Sequence, residues 1–216
     1  YPRGKCILNY PTLNDRLIKH ERTYEHDKTK LLYTGNVTVD RGALIHANLP
    51  NIHGDVSIQF VGKCQKQLAQ KMYEVAGTQK DQLYIEGIDE FVEKETIEQT
   101  YINENWLAGV ALFPPTEHYM KKELTKFFEY MSAGLPIICS NFPVWKRFID
   151  QYQCGIAVDP HDEEAIKHAI DFLKDNPETA TQMGANGKKA VIEELNWNRE
   201  EEKLIKWYNE LLDKLQ

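Results

Sequence analysis

The sequence predicts a doubly wound, Rossmann-like α/β domain with about six parallel strands and helices on both faces. Two observations predict it. Short apolar runs alternate with amphipathic segments six times along the 216 residues, and alternation of that kind marks βαβ units. The apolar runs show little in–out alternation, as expected for strands buried on both faces of a parallel sheet.

The first 29 residues are irregular and polar and read as a linker and lead-in. The strands then follow: KLLYTG at 30–35, DVSIQFVGK at 55–63, DQLYIEG at 81–87, AGVALFPP at 108–115, LPIICS at 135–140 and CGIAVDP at 154–160. Two prolines stop the fourth. Between them lie helical stretches: DRGALIHANLPNI, CQKQLAQKMYEVAG, FVEKETIEQTYINENW, KFFEYMSAG and PVWKRFIDQY, the last with Pro143 in its first turn. DEEAIKHAIDFLKDN is amphipathic with an acidic first turn. Pro177 opens a further helix to about residue 194, and NREEEKLIKWYNELLDKL closes the chain.

Bulk numbers narrow the function. A hydrophobic content of 42% and a charged content of 27% are those of a globular domain. The net charge of −7 argues against nucleic-acid binding, which needs a basic face. No apolar run approaches the length of a membrane span, and YPRGKCILNYP lacks the apolar core of a signal peptide. The four cysteines, Cys6, Cys64, Cys139 and Cys154, have no C-x-x-C spacing, so zinc is not expected, and no carboxylate pair of the D-x-D kind is present. Reduced thiols and a cytoplasmic location are expected. GNVTVDRG lacks the G-x-G-x-x-G of a dinucleotide fingerprint, which disfavours an oxidoreductase.

In doubly wound sheets, ligands bind beyond the C-terminal strand ends. Those ends carry YTGNVTVDRG, VGK, IEG and PPTEHYMKKELTK, which supply glycines and basic residues.

Three stretches resemble the C-terminal, donor-binding half of a GT-B glycosyltransferase, of the retaining group 1 (family 4) kind. LLYTGNVTVDRG is similar to the family's first strand and phosphate loop. LTKFFEYMSAGLPIICSN is similar to its glutamate helix and the following turn and strand, and CGIAVDPHDEEAIKHAI to its closing strand and helix. The resemblance implies an enzyme of hexosyltransferase type. It would transfer a sugar from a nucleoside diphosphate donor of UDP or GDP type, with retention, in cell-surface polysaccharide synthesis. No cofactor is implied. The acceptor, a sugar or lipid-linked glycan, would meet the other domain, so this chain reads as the donor half, 30–216, of a longer protein, inactive in transfer without the acceptor half. In that protein, peripheral attachment to the inner membrane face is an option. The alternatives are a sugar-nucleotide epimerase of the same fold or a non-catalytic nucleotide-binding or interaction module.

Transfer from such a donor builds negative charge on the leaving diphosphate, which calls for fixed cations and oriented N–H groups. Arg41 and Lys126 are the expected cations. Lys126 stands in the first turn of its helix, whose N-terminus adds partial positive charge. Gly35 and Gly42 would let the backbone approach the phosphates, with Asn36 beside them. Glu129, one turn after Lys126 on the same face, suits a ribose diol, the role the resemblance also gives it. Thr125, Phe127 and Phe128 would set the helix against the sheet. Gly87 and Ile88 would border the base. Two positions depart from the family pattern: Lys121 stands where many members have a glutamate, and Asn36 where many have an arginine.

Plainer readings stand beside these. Lys126 and Glu129 also fit a solvated ion pair, and Arg41 an exposed loop residue. His118, Lys121, Lys122, Glu117 and Glu123 either border the donor or lie on the surface. Trp197, Trp207 and Tyr208 fall at helical spacing and read as packing.

Overall fold

The computed structural model describes residues 4–22 and 29–213. The expected linker, 1–29, therefore falls partly outside the described residues, at 1–3 and 23–28. In chain order the elements are α1 (Asp15–Lys19), β1 (Thr29–Thr34), a 3-10 turn (Val39–Arg41), α2 (Ala43–Ala47), α3 (Leu49–Ile52) and β2 (Val56–Cys64). Next come α4 (Lys66–Ala76), a second 3-10 turn (Gly77–Gln82), β3 (Leu83–Ile88), α5 (Lys94–Asn103), β4 (Ala108–Ala111), α6 (Glu117–Met120) and α7 (Thr125–Ser132). The chain continues with β5 (Ile137–Ser140), α8 (Pro143–Tyr152), β6 (Gly155–Val158), α9 (Glu163–Asp175), α10 (Pro177–Glu193) and α11 (Trp197–Leu212).

All six expected strands form. They pair in parallel in the order β3-β2-β1-β4-β5-β6. The chain builds outward from β1 to β3, then returns to the other side of β1 with β4. The reversal of direction between β1 and β4 is the switch point at which an open α/β sheet leaves a crevice. Every residue of β4 and β5 is buried, which explains the absence of alternation in their sequences.

Two short helices depart from the sequence reading. Residues 14–19 look like a polar connection, yet they form α1. The Asn14 side chain accepts from the Arg16 and Leu17 N–H groups at 3.1 and 3.3 Å, and Leu17 is buried. Side-chain capping and one buried leucine hold a helix too short to announce itself by period. Residues 117–120 form α6, capped by Thr116 Oγ1 accepting from the Tyr119 N–H at 3.3 Å.

The ends of β1, β2 and β3 meet backbone against backbone, with no side chain between them. A Cβ on Gly62 would lie 2.1 Å from the Gly35 carbonyl oxygen, and one on Gly87 would lie 2.6 Å from that of Gly62. All three glycines have positive φ, of 91°, 152° and 98°. The ends of β1, β2 and β3 thus approach each other more closely than any other residue would permit.

Among the described residues, no helix is long and apolar enough to cross a membrane, and no group of histidine, cysteine or acidic side chains is arranged to hold a metal.

Candidate donor site

The loop after β1, the segment after β4 and the start of α7 meet at the switch point. They enclose a cavity of about 200 Å³ lined by Gly35, Arg41, Phe113, Tyr119, Lys126 and Glu129, among others. Leu124 and Thr125 complete the wall. Leu124 is the N-cap of α7 and gives it no side-chain cap bond. The Phe127 N–H donates to the Leu124 carbonyl at 3.0 Å, so the N–H groups left for a ligand are those of Thr125 and Lys126 ahead of it.

Lys126 is 8% exposed, and its Nζ has no hydrogen-bond partner. The ammonium lies 3.4 Å from the centre of the Tyr33 ring and 5.1 Å from that of Phe113. Burial holds the amine well below the usual lysine range; Glu129 works against that shift and Arg41 adds to it. A buried donor without a protein acceptor is costly by itself and well suited to an arriving anion.

Arg41 is held from behind. Its Nε donates to the Tyr119 hydroxyl at 3.1 Å, and that hydroxyl donates to Asp40 at 3.1 Å. Burial disfavours the guanidinium charge, but the hydrogen bond and the electrostatic pull of Tyr119 outweigh it, so the group stays firmly cationic. Glu129 is held similarly. Tyr101 donates to its Oε2 at 3.2 Å and shares a 2.7 Å hydrogen bond with Thr34 Oγ1. The Phe113 ring beneath Lys126 is fixed through its backbone: its N–H donates to Ser140 Oγ at 2.8 Å, and its carbonyl accepts from the same hydroxyl at 2.8 Å. The preceding Leu112 N–H donates to His46 Nε2 at 2.8 Å.

A second cavity, of about 330 Å³, adjoins the first and shares Gly35 and Glu129 with it. It runs between α5 and α7, past Val92, Ile97 and Tyr101 on one side and Phe128 on the other, to Pro11, Thr12 and Leu17 of the lead-in. Glu129 therefore stands between a polar, cationic cavity and a more apolar one.

The structure thus brings together Gly35, Arg41, Thr125, Lys126 and Glu129. Other expected site residues lie elsewhere. A Cβ on Gly42 would lie 1.9 Å from the Leu112 carbonyl oxygen, so this glycine serves the close approach of α2 to the end of β4. Asn36 lines a different cavity, with Lys63 and Lys71, on the far side of the loop. Gly87 and Ile88 line neither of the two joined cavities; Phe91 and Val92, just beyond, line the second. Thr125 is exposed and faces the first cavity, while Phe127 and Phe128, with Tyr130 and Met131, are buried and set α7 against the core. Lys121 pairs with Glu117 at 2.6 Å on the surface, and His118 is exposed, edge-on to Tyr119. Lys122 and Glu123 are exposed; the carbonyl of Lys122 accepts from the Trp145 indole at 2.6 Å. Tyr101, Tyr119 and Tyr33 were not singled out in the sequence. They come from three separated segments, and nothing in the local pattern marks them.

Residues 125–190 match the family model for glycosyl transferases group 1. Those residues, about a third of the chain, are similar to that family. The match begins at Thr125, so α7 with Lys126 and Glu129 lies within it, while Gly35 and Arg41 lie outside. A search of curated proteins returned no match to the sequence. Solved structures share the fold. Sucrose-phosphate synthase from Thermosynechococcus elongatus superposes with a TM-score of 0.73 at 18% identity, over 95% of this chain and 52% of that one. TarM from S. aureus, solved as a mutant with Fondaparinux, alpha-GlcNAc-glycerol and UDP, gives 0.68 at 16% identity over 95% and 38%. The C-terminal domain of LpcC, a glycosyl transferase group 1 family protein from Francisella tularensis, gives 0.59 at 17% identity over 87% and 95%. This chain thus spans about half or less of the first two proteins. It is nearly coextensive in length with the separate C-terminal domain. The shared architecture is a Rossmann-like, doubly wound α/β fold.

Proposed function

We propose that this chain is the donor half of a glycosyltransferase and binds a nucleoside diphosphate sugar of UDP or GDP type across the two joined cavities. The observation that carries the reading is Lys126, a buried amine without a partner, facing the same cavity as Arg41 and the uncapped start of α7. Two cations and a helix N-terminus in one small cavity suit a diphosphate. Glu129 follows at the far side, where a carboxylate can accept from both hydroxyls of a ribose, and the more apolar cavity beyond it takes the base. UDP in the TarM structure supports the same class of ligand.

In the reaction, Arg41 and Lys126 stabilise the charge that develops on the leaving diphosphate, and Tyr119 keeps Arg41 in place. The acceptor, a sugar or lipid-linked glycan of a cell-surface polysaccharide, is held by a second domain, and the sugar is transferred with retention. No cofactor takes part, because the cations that neutralise the diphosphate belong to the chain.

Thermal unfolding with millimolar UDP, GDP, ADP and NAD tests the reading. A ligand at a hundredfold its dissociation constant stabilises by about 2.7 kcal/mol. One diphosphate is expected to raise the transition, and Glu129→Ala to abolish that rise. A rise with NAD alone, or none with any nucleotide, counts against the donor site.

A further inference from the structure

The lead-in before β1 is anchored on the domain at many points. The Leu8 N–H donates to Glu200 Oε2 at 2.9 Å, and the Trp197 N–H donates to the Pro11 carbonyl at 2.9 Å. The Tyr10 ring stands edge-on to Phe128, with centroids 5.1 Å apart. Leu17 is buried in the core. Beyond α1, Lys188 Nζ donates to the carbonyls of Ile18 and His20 at 3.2 and 2.7 Å. The Arg22 guanidinium donates to the Glu104 carbonyl at 3.1 Å. Most of these bonds use the lead-in's own backbone, so they fix its path whatever its side chains are.

That path crosses the mouth of the second cavity, where Pro11, Thr12 and Leu17 face Val92 and Ile97 of the main body. The cavity is therefore completed by a segment that precedes the first strand. Its walls mix apolar side chains, Pro11, Leu17, Val92, Ile97 and Phe128, with polar ones; on the lead-in side the polar residues are Thr12 and Asn14, and the Asn14 Oδ1 is already engaged by the Arg16 and Leu17 N–H groups. Flat heteroaromatic rings with polar edges suit such a slot.

We propose that residues 10–17 form the outer wall of the base-binding end of the donor site, with Thr12 as a residue that helps determine which nucleoside is accepted. The inference rests on the donor-site reading above. The diphosphate end is built from β1, α6, α7 and the loops after β1 and β4, so the two ends separate experimentally: inorganic pyrophosphate needs only the first cavity, and a nucleoside diphosphate needs both.

The test uses the full chain and backbone amide shifts in NMR titrations with UDP, GDP, ADP and inorganic pyrophosphate. The amides of Thr12, Asn14 and Leu17 are expected to move with the nucleoside diphosphate that binds and to stay still with pyrophosphate. Thr12→Trp, which fills the slot from an exposed position, is expected to weaken that nucleotide at least tenfold and leave pyrophosphate affinity unchanged. Glu200→Ala, remote from the cavity, releases the Leu8 anchor and is expected to weaken the nucleotide in the same sense. If a nucleotide binds and the lead-in amides do not respond, or Thr12→Trp binds it as tightly as wild type, the wall is not part of the site. If no nucleoside diphosphate binds the wild-type chain, the donor-site reading itself falls and this inference with it.

Discussion

Lys126 sets stability against binding at a single residue. Its amine is desolvated, unpartnered and pressed against the Tyr33 ring. Lys126→Met keeps the unbranched shape and removes the polar head. Replacing a poorly satisfied buried polar group by an apolar one of similar volume is neutral or favourable. The variant is therefore expected to gain roughly 1 kcal/mol in urea unfolding and to lose its response to nucleoside diphosphates. Loss of both stability and binding would show that the ammonium is already well satisfied by the protein itself. The family-like motif made Lys126 and Glu129 legible in the sequence, because both stand on one short helix. The tyrosines that flank the site were not legible, since Tyr101 and Tyr119 reach it only once α5 and α6 have docked.

Elements of this sheet meet through small residues at chosen points. Gly109 in β4 lies against Tyr130 of α7, and a Cβ there would fall 2.5 Å from the ring. The Tyr130 hydroxyl accepts from the Thr34 N–H at 3.3 Å and lies 3.3 and 3.2 Å from the carbonyls of Leu32 and Val110, stitching α7 to β1 and β4. Gly109→Ala must push α7 outward or rotate Tyr130, and overpacking of this kind costs about 1–3 kcal/mol. Chemical denaturation is expected to show that loss. The same displacement moves Lys126, so nucleotide affinity should fall too. Unchanged stability would mean that α7 docks more loosely than the contacts indicate. α10 packs behind α7 by the same device, with Gly187 against Met131 and Cys154.

The whole molecule carries a pH response through one buried histidine. His46 is fully buried between Tyr33, Phe60 and Phe113, and its Nε2 accepts from the Leu112 N–H. Accepting there places the proton of the neutral ring on Nδ1. Burial, with Lys126 adding, lowers its pKa well below the ordinary 6.5. The unfolded chain takes up a proton at about 6.5 that the folded chain does not. Stability from this group is thus complete above that value and falls as pH drops through it, by at most about 1.4 kcal/mol per pH unit. His20, also lowered, first by burial, acts in the same direction. The comparison with His46→Gln isolates the effect, since glutamine retains an acceptor for Leu112. Urea unfolding at several pH values between 5 and 7.5 is expected to give a shallower slope for the variant; equal slopes would mean that His46 protonates in place.

The sequence by itself determined the six strands, their parallel pairing and the helix that carries Lys126 and Glu129. Each of these rests on a local pattern: an apolar run, a helical period, or a turn such as Gly134-Leu135-Pro136. Only the tertiary structure decided which glycines face a ligand. Gly35 is open to both cavities, whereas Gly42, equally plausible in the sequence, is pressed against the carbonyl of Leu112, just after β4. It also decided that the lead-in packs as a wall, because its anchors are backbone groups bonded to α10 and α11, more than 160 residues away. Periodicity reports what a segment buries; it does not report which distant segment will cover it.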